Sequence, residues 1–161
     1  MTIEELTEIA TEFLRENYGM GLGIPILRNN RLRKVMGRFV ETYEGTADRI
    51  DIAGFVITYG TREVIIDTLY HECIHYALFE RGEPNDDGHP HFESELRRFG
   101  VGSTGTNNVG IYVIYTCQKC GREARERGRQ LLRDYQGRVT RCCLAKIIIE
   151  GERIYNGTEA V

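Results

Sequence analysis

The sequence predicts an α+β fold: helices and a small sheet first, then a β-rich tail. Three observations carry the prediction. Short apolar runs bounded by Gly, Pro and Asn lie between two stretches of helical periodicity in the part up to Glu80. A long apolar helix carries His71-Glu72-Cys73-Ile74-His75 near its middle. Four of the five cysteines, Cys117, Cys120, Cys142 and Cys143, fall in a late segment of short apolar runs and turns.

Taken in order, Ile3, Leu6, Ile9, Ala10, Phe13 and Leu14 repeat at helical spacing over 3–17, and the glycines from Gly19 to Gly23 end the pattern. Residues 24–27 read as a strand with Pro25 near its edge, Asn29-Asn30 as a turn, and 34–41 and 50–57 as further strands joined by a loop over 44–48. Thr61 after Gly60 suits the cap of a helix running to about Glu80, with Gly82 as its stop. That helix is apolar nearly all round, which marks it as buried. Residues 83–89 form an acidic loop, and Pro90 suits the first position of a following helix. There Phe92, Leu96 and Phe99 make one buried stripe before Gly100. Residues 101–110 read as a linker, and 111–155 as strands and turns around the cysteines. The expected division is a first domain over 1–105 and a second over 106–161.

With 161 residues, 41% hydrophobic and 28% charged, the chain can build one core and a small appendage. No run approaches the roughly 18 apolar residues that a membrane span needs. The acidic start, Met-Thr-Ile-Glu-Glu, is unlike a secretory leader, and an odd cysteine count reads as thiols or metal ligands. A cytoplasmic location is expected. The net charge of −3 is uneven: from Cys117 to Lys146 nine basic residues face three acids, a local +6, which leaves −9 elsewhere. A basic tail on an acidic body points to an anionic partner for the tail.

His-Glu-x-x-His is a statement about geometry. Residues four apart lie one turn apart on the same helix face, so His71 and His75 can reach one metal ion. Glu72 can then reach a water held by that ion and act as acid/base. Catalytic zinc normally takes three protein ligands. His89, with thirteen residues between it and His75, stands three residues before Phe92 and shares its helix face, so it is the favoured third ligand. His91, Glu93 and Glu95 are the alternatives. Cys73, on another side of the helix, reads as a small core residue.

Cys117-Gln118-Lys119-Cys120-Gly121 is one half of a structural zinc site. The second half is irregular, because Cys142 and Cys143 are adjacent and Ala145 stands where a spaced partner would fall. Side chains of adjacent residues diverge on a strand, so joint ligation requires a turn or bulge there; a ribbon held by ordinary packing is the alternative.

Together these segments resemble the SprT-like zinc metalloproteins, the family that includes the Spartan-type proteases. The likeness covers about Ile24 to Ile149. It rests on Asn30-Arg31-Leu32-Arg33-Lys34, Gly37-Arg38-Phe39, Thr68-Leu69-Tyr70 running into the His-Glu-x-x-His, Gly88-His89-Pro90-His91-Phe92, and the cysteines. The chain departs from the family at H-P-x-F, where H-G-x-x-F is usual, and at the second cysteine pair. The resemblance implies a minimal zincin-like metallopeptidase core followed by a zinc-ribbon-like module. It implies a zinc ion on His71, His75 and His89 with Glu72 as catalytic acid/base, and a second, structural zinc on the four cysteines. It also implies a protein substrate and, through Lys119, Arg122, Arg125, Arg127 and Arg129, DNA as a further partner. A zinc-organised nucleic-acid-binding or regulatory protein with weak or no peptidase activity is the competing expectation.

Overall fold

The computed structural model describes residues 1–102, 107–157 and 159–161. The chain forms two compact units, Met1–Asn107 and Asn108–Val161. The first packs helices around a small sheet and the second is a small sheet with one short helix among the described residues, so the protein is α+β, with a cysteine cluster in the second unit compatible with a zinc-ribbon-like module. The expected boundary at 105/106 and the middle of the expected linker lie outside the described residues.

In the first unit, α1 (Ile3–Tyr18) starts on a capping box between Thr2 and Glu5 and ends on left-handed Gly19. Strands β1 (Ile26–Asn29), β2 (Gly37–Glu41) and β3 (Ala47–Ala53) make a sheet of order β1-β3-β2. β3 runs parallel to β1 and antiparallel to β2, with Phe39 opposite Ile50 and Gly37 opposite Ile52. β2 is therefore an edge strand, and some of its N–H groups have no strand to bond.

The strand expected over 50–57 stops at Ala53. Residues Gly54–Tyr59 instead form helix α2. Phe55-Val56-Ile57 has strand propensity, but local bonds override it. The Thr58 hydroxyl donates to the Gly54 carbonyl and accepts from Arg28, and Val56 is fully buried.

Helix α3 (Arg62–Glu80) begins on Thr61, whose hydroxyl accepts from the Val64 N–H. Its buried side chains lie on every face: Leu69, Cys73, Ile74, Ala77 and Leu78 are all 1% exposed or less. Phe13 of α1 stacks on Tyr70 at 4.2 Å between ring centroids, and Phe39 of β2 packs on Phe79 at 5.3 Å. Between α1 on one side and β2 on another, the middle of α3 has no exposed face. Helix α4 (Pro90–Phe99) follows the loop, with Phe92 and Leu96 buried.

In the second unit, β4 (Asn108–Cys117) is the centre of a sheet of order β5-β4-β6. Its neighbours β5 (Glu123–Arg127) and β6 (Ile147–Gly157) both run antiparallel to it, and a short helix α5 (Gln130–Asp134) lies between them in sequence. The expected linker thus ends earlier than its composition suggests, since Asn108 to Gly110 already pair with β6. Among the described residues no helix is long and apolar enough to cross a membrane.

Candidate functional site

The middle of α3 sets the site. His71 and Glu72 are buried and His75 is nearly so, because α3 is covered on all sides. Phe92 of α4 orients both imidazoles: His75 stacks on its ring at 4.0 Å and His71 meets it edge-on at 5.2 Å. His75 Nδ1 donates to the Asn85 carbonyl at 2.5 Å, which fixes the tautomer and leaves Nε2 bare. Burial holds both imidazoles below the ordinary histidine range, and for His75 the neighbouring His71 adds to the effect. Neutral imidazoles are the form that binds metals.

The two Nε2 atoms lie 3.1 Å apart, and Asp87 Oδ1 lies 3.2 Å from His71 Nε2 and 3.5 Å from His75 Nε2. An ion about 2.0–2.1 Å from tetrahedral nitrogen and oxygen ligands sets those ligands about 3.3–3.4 Å apart. The three measured edges bracket that value. His71 Nε2, His75 Nε2 and Asp87 Oδ1 could therefore hold a divalent ion among them. The residues fit the group.

His89 stands elsewhere. It is the N-cap of α4, in extended conformation, exposed, with its Nδ1 accepting the His91 N–H. An N-cap residue lies outside the helical repeat, so the shared face with Phe92 does not form. His91 pairs with Glu83 at 2.6 Å, Glu93 accepts the Gly88 N–H, and Glu95 accepts the Tyr18 hydroxyl. The structure thus brings His71, Glu72 and His75 together with Asp87, and none of His89, His91, Glu93 or Glu95. Asp87 was legible only as part of the acidic loop, which composition marks as solvated.

Glu72 lies beside this group, on the floor of an open cleft of about 280 Å³ between β2 and the loop over 85–87. Its Oε2 accepts the Phe39 N–H at 2.7 Å, using an edge-strand donor that β3 cannot reach. Burial pushes the Glu72 carboxyl up to about 8, with the Phe39 N–H opposing it. Cys73 is fully buried in the core, and burial raises its thiol strongly.

The second unit collects Cys117, Cys120, Cys142 and Cys143, with their sulfurs all within 4.8 Å of one another. Gly121, at φ 70°, closes the first turn through its N–H to the Cys117 carbonyl. The adjacent pair converges because residues 141–143 form a turn. The Leu144 N–H bonds the Thr140 carbonyl, and Leu144 takes φ 49°, a left-handed conformation rare for a branched side chain. Cys120 and Cys142 sulfurs stand 3.6 Å apart, near the ~3.8 Å edge of a tetrahedral Zn–S site with ~2.3 Å bonds. The Thr140 hydroxyl, donating to the Cys117 sulfur, holds that thiol down at about 6. Cys143, facing Cys120, is pushed up to about 12. Four sulfurs this close cannot all ionise without a cation among them.

Cys120→Ser is accordingly expected to lower bound metal from the two ions that two ligand groups permit to one. Structural zinc supplies folding free energy outright, on the order of 10 kcal/mol in small domains. Amide signals of 108–157 should therefore collapse toward unfolded positions while those of α1 and α3 stay put. Retention of full metal content would show that the sulfurs are not ligands.

Of the basic residues, Arg129 is bidentate to Glu152, and Arg125 lies over the Tyr155 ring at 4.7 Å. Arg127 donates to the Tyr112 hydroxyl. Lys119 and Arg122 are exposed beside the first cysteine turn, as are Arg141 and Lys146 beside the second, and none of these four is in an ion pair among the described residues.

Among known families, the sequence model of the SprT-like family matches residues 3–108. No match was found among curated proteins or among solved structures.

Proposed function

The chain belongs to the SprT-like family, and on that premise we propose that it is a zinc-dependent metallopeptidase acting on proteins, with DNA-bound proteins as the favoured class. Membership itself suggests a metallopeptidase-like domain. The single observation that supports the finer reading is the Glu72 carboxyl, buried at the floor of an open cleft next to three converging ligand atoms. A structural metal site has no use for such a group.

His71, His75 and Asp87 would hold the ion. Bound there, zinc supplies a Lewis acid that polarises a carbonyl and acidifies water at neutral pH. Glu72 takes the proton from the attacking water and returns it to the departing amine nitrogen. A carboxyl near neutrality in its affinity is suited to both transfers. The Phe39 N–H fixes Oε2, so the other oxygen is the one left for the proton. Asn85 holds the His75 ring, and Phe92 excludes water from the far side of both imidazoles.

Lys119, Arg122, Arg141 and Lys146 support DNA as the recruiting partner, because phosphate contacts come chiefly from unpaired Lys and Arg. The cysteine turns would hold a second zinc that fixes these side chains.

The test uses the zinc-loaded full chain with a basic DNA-binding protein as probe, with and without single-stranded DNA. Cleavage should occur, rise with DNA, stop on chelation and return with added zinc. Cleavage that survives complete metal removal would overturn the peptidase mechanism. DNA binding that weakens with salt, with no cleavage under any condition, would favour the nucleic-acid-binding alternative.

A further inference from the structure

One glycine of the first unit has no backbone reason to be there. Gly37 opens β2 and is buried, yet its φ is not in the left-handed region that glycine alone tolerates. Glycine inside a strand costs stability and signals close approach of another group. Here the approaching group is Glu72. A Cβ placed on Gly37 would lie 2.6 Å from Glu72 Oε1, 2.8 Å from its Cγ and 3.0 Å from its Cδ. The clash is with the stem of the side chain as well as its tip, and the helix carrying that stem is packed on every side. With its helix fixed, Glu72 can yield only by turning its carboxylate out of this position toward the cleft.

Two residues along the same edge strand, the Phe39 N–H seizes Oε2 at 2.7 Å. Gly37 thus provides the space and Phe39 the bond, and the carboxylate lies against the strand at two points.

We propose that Gly37 is a positioning residue, whose missing side chain forms the seat that holds the Glu72 carboxylate at the reaction centre. The proposal rests on the peptidase reading for its kinetic consequence, but the seat itself is a packing claim that stands apart from activity.

Gly37→Ala should push Glu72 out by roughly an ångström, and misplacement of that size costs on the order of 100-fold in rate. The loss should fall on kcat, with KM little changed and the metal content of the His71/His75/Asp87 group intact. Glu72→Asp in the parent should also lower kcat, because the shorter side chain no longer reaches. In the Gly37→Ala background the same change should cost less than in the parent, since the carboxylate has already left its seat. Additive losses in the double variant, or a Gly37→Ala protein with parental kcat, would overturn the proposal.

Two readouts do not depend on peptidase activity. Hydrogen exchange at the Phe39 amide should quicken in Gly37→Ala, because the displaced carboxylate no longer accepts from it. If Gly37→Ala folds poorly, Gly37→Ala/Glu72→Ala should melt higher than Gly37→Ala, because the clash has been removed. A double variant no more stable than the single one would show that Glu72 is not what fills the space. An inactive parent enzyme whose exchange and melting results follow the expected pattern would refute the peptidase reading and leave the seat standing.

Discussion

Glu72→Gln is expected to lower kcat/KM by about 10²–10⁴-fold, the contribution typical of a positioned acid/base. Gln keeps the length and the carbonyl oxygen, so the bond from the Phe39 N–H and the fit against Gly37 can both survive. What it loses is the capacity to take a proton. Metal content, measured by elemental analysis, should therefore stay at the parental level. The stability effect has a definite sign. Burial raises the Glu72 carboxyl from 4.5 to about 8, so its ionisation weakens the metal-free fold progressively as pH climbs through that window. Gln carries no such charge, and the metal-free variant should gain on the parent in melting temperature as pH approaches 8. A variant retaining a tenth or more of parental activity would remove Glu72 from the chemistry.

Asp87→Ala and His89→Ala are expected to separate cleanly. Removing a group that only supports a ligand costs about 10–100-fold in metal affinity, and removing a ligand should cost at least the upper figure. Asp87→Ala should therefore lose on the order of 100-fold or more in affinity at the first unit, and its activity with it. His89→Ala removes an exposed N-cap side chain whose bond is to its own helix; cap losses typically cost about 1 kcal/mol of stability and should leave affinity near the parental value. Titration of the metal-free proteins with zinc against a competing chelator measures both. The reverse ranking would hand the third position to His89.

That contrast shows where the sequence was legible. Elements specified by local chemistry read well: Thr2 and Thr61 cap helices, Gly19 and Gly100 end them, and the apolar girth of α3 announces its burial. The pair His71/His75 and its neighbour Glu72 follow from the helical repeat alone. Reading failed where long-range contacts decide. Phe55-Val56-Ile57 has strand chemistry, yet Thr58 and Arg28 secure it as a helix. His89 looked helical beside Phe92, but a capping residue has left the repeat. Asp87 reaches the histidines only because the loop folds back on α3, which no periodicity records. The adjacent cysteines converge through a left-handed Leu144, a conformation that no sequence pattern would assign to leucine.

The loop that delivers Asp87 is braced at several points. Asn85 both accepts from the His75 ring and donates to the His75 carbonyl, Glu83 holds His91, and the His89 N–H bonds the Asp86 carbonyl. Fixing a loop residue costs about 1–2 kcal/mol of conformational entropy. In this loop that cost falls on folding, before any ion arrives. Zinc thus meets a receptor already shaped, and scarcity of the metal would leave the first unit intact and waiting. The cysteine turns are bonded too, Gly121 to the Cys117 carbonyl and Leu144 to the Thr140 carbonyl, but they crowd four sulfurs that repel one another once ionised. A metal-starved molecule would keep its histidine cleft while the sulfur turns loosened, so an ion would add occupancy to the first unit and cohesion to the second.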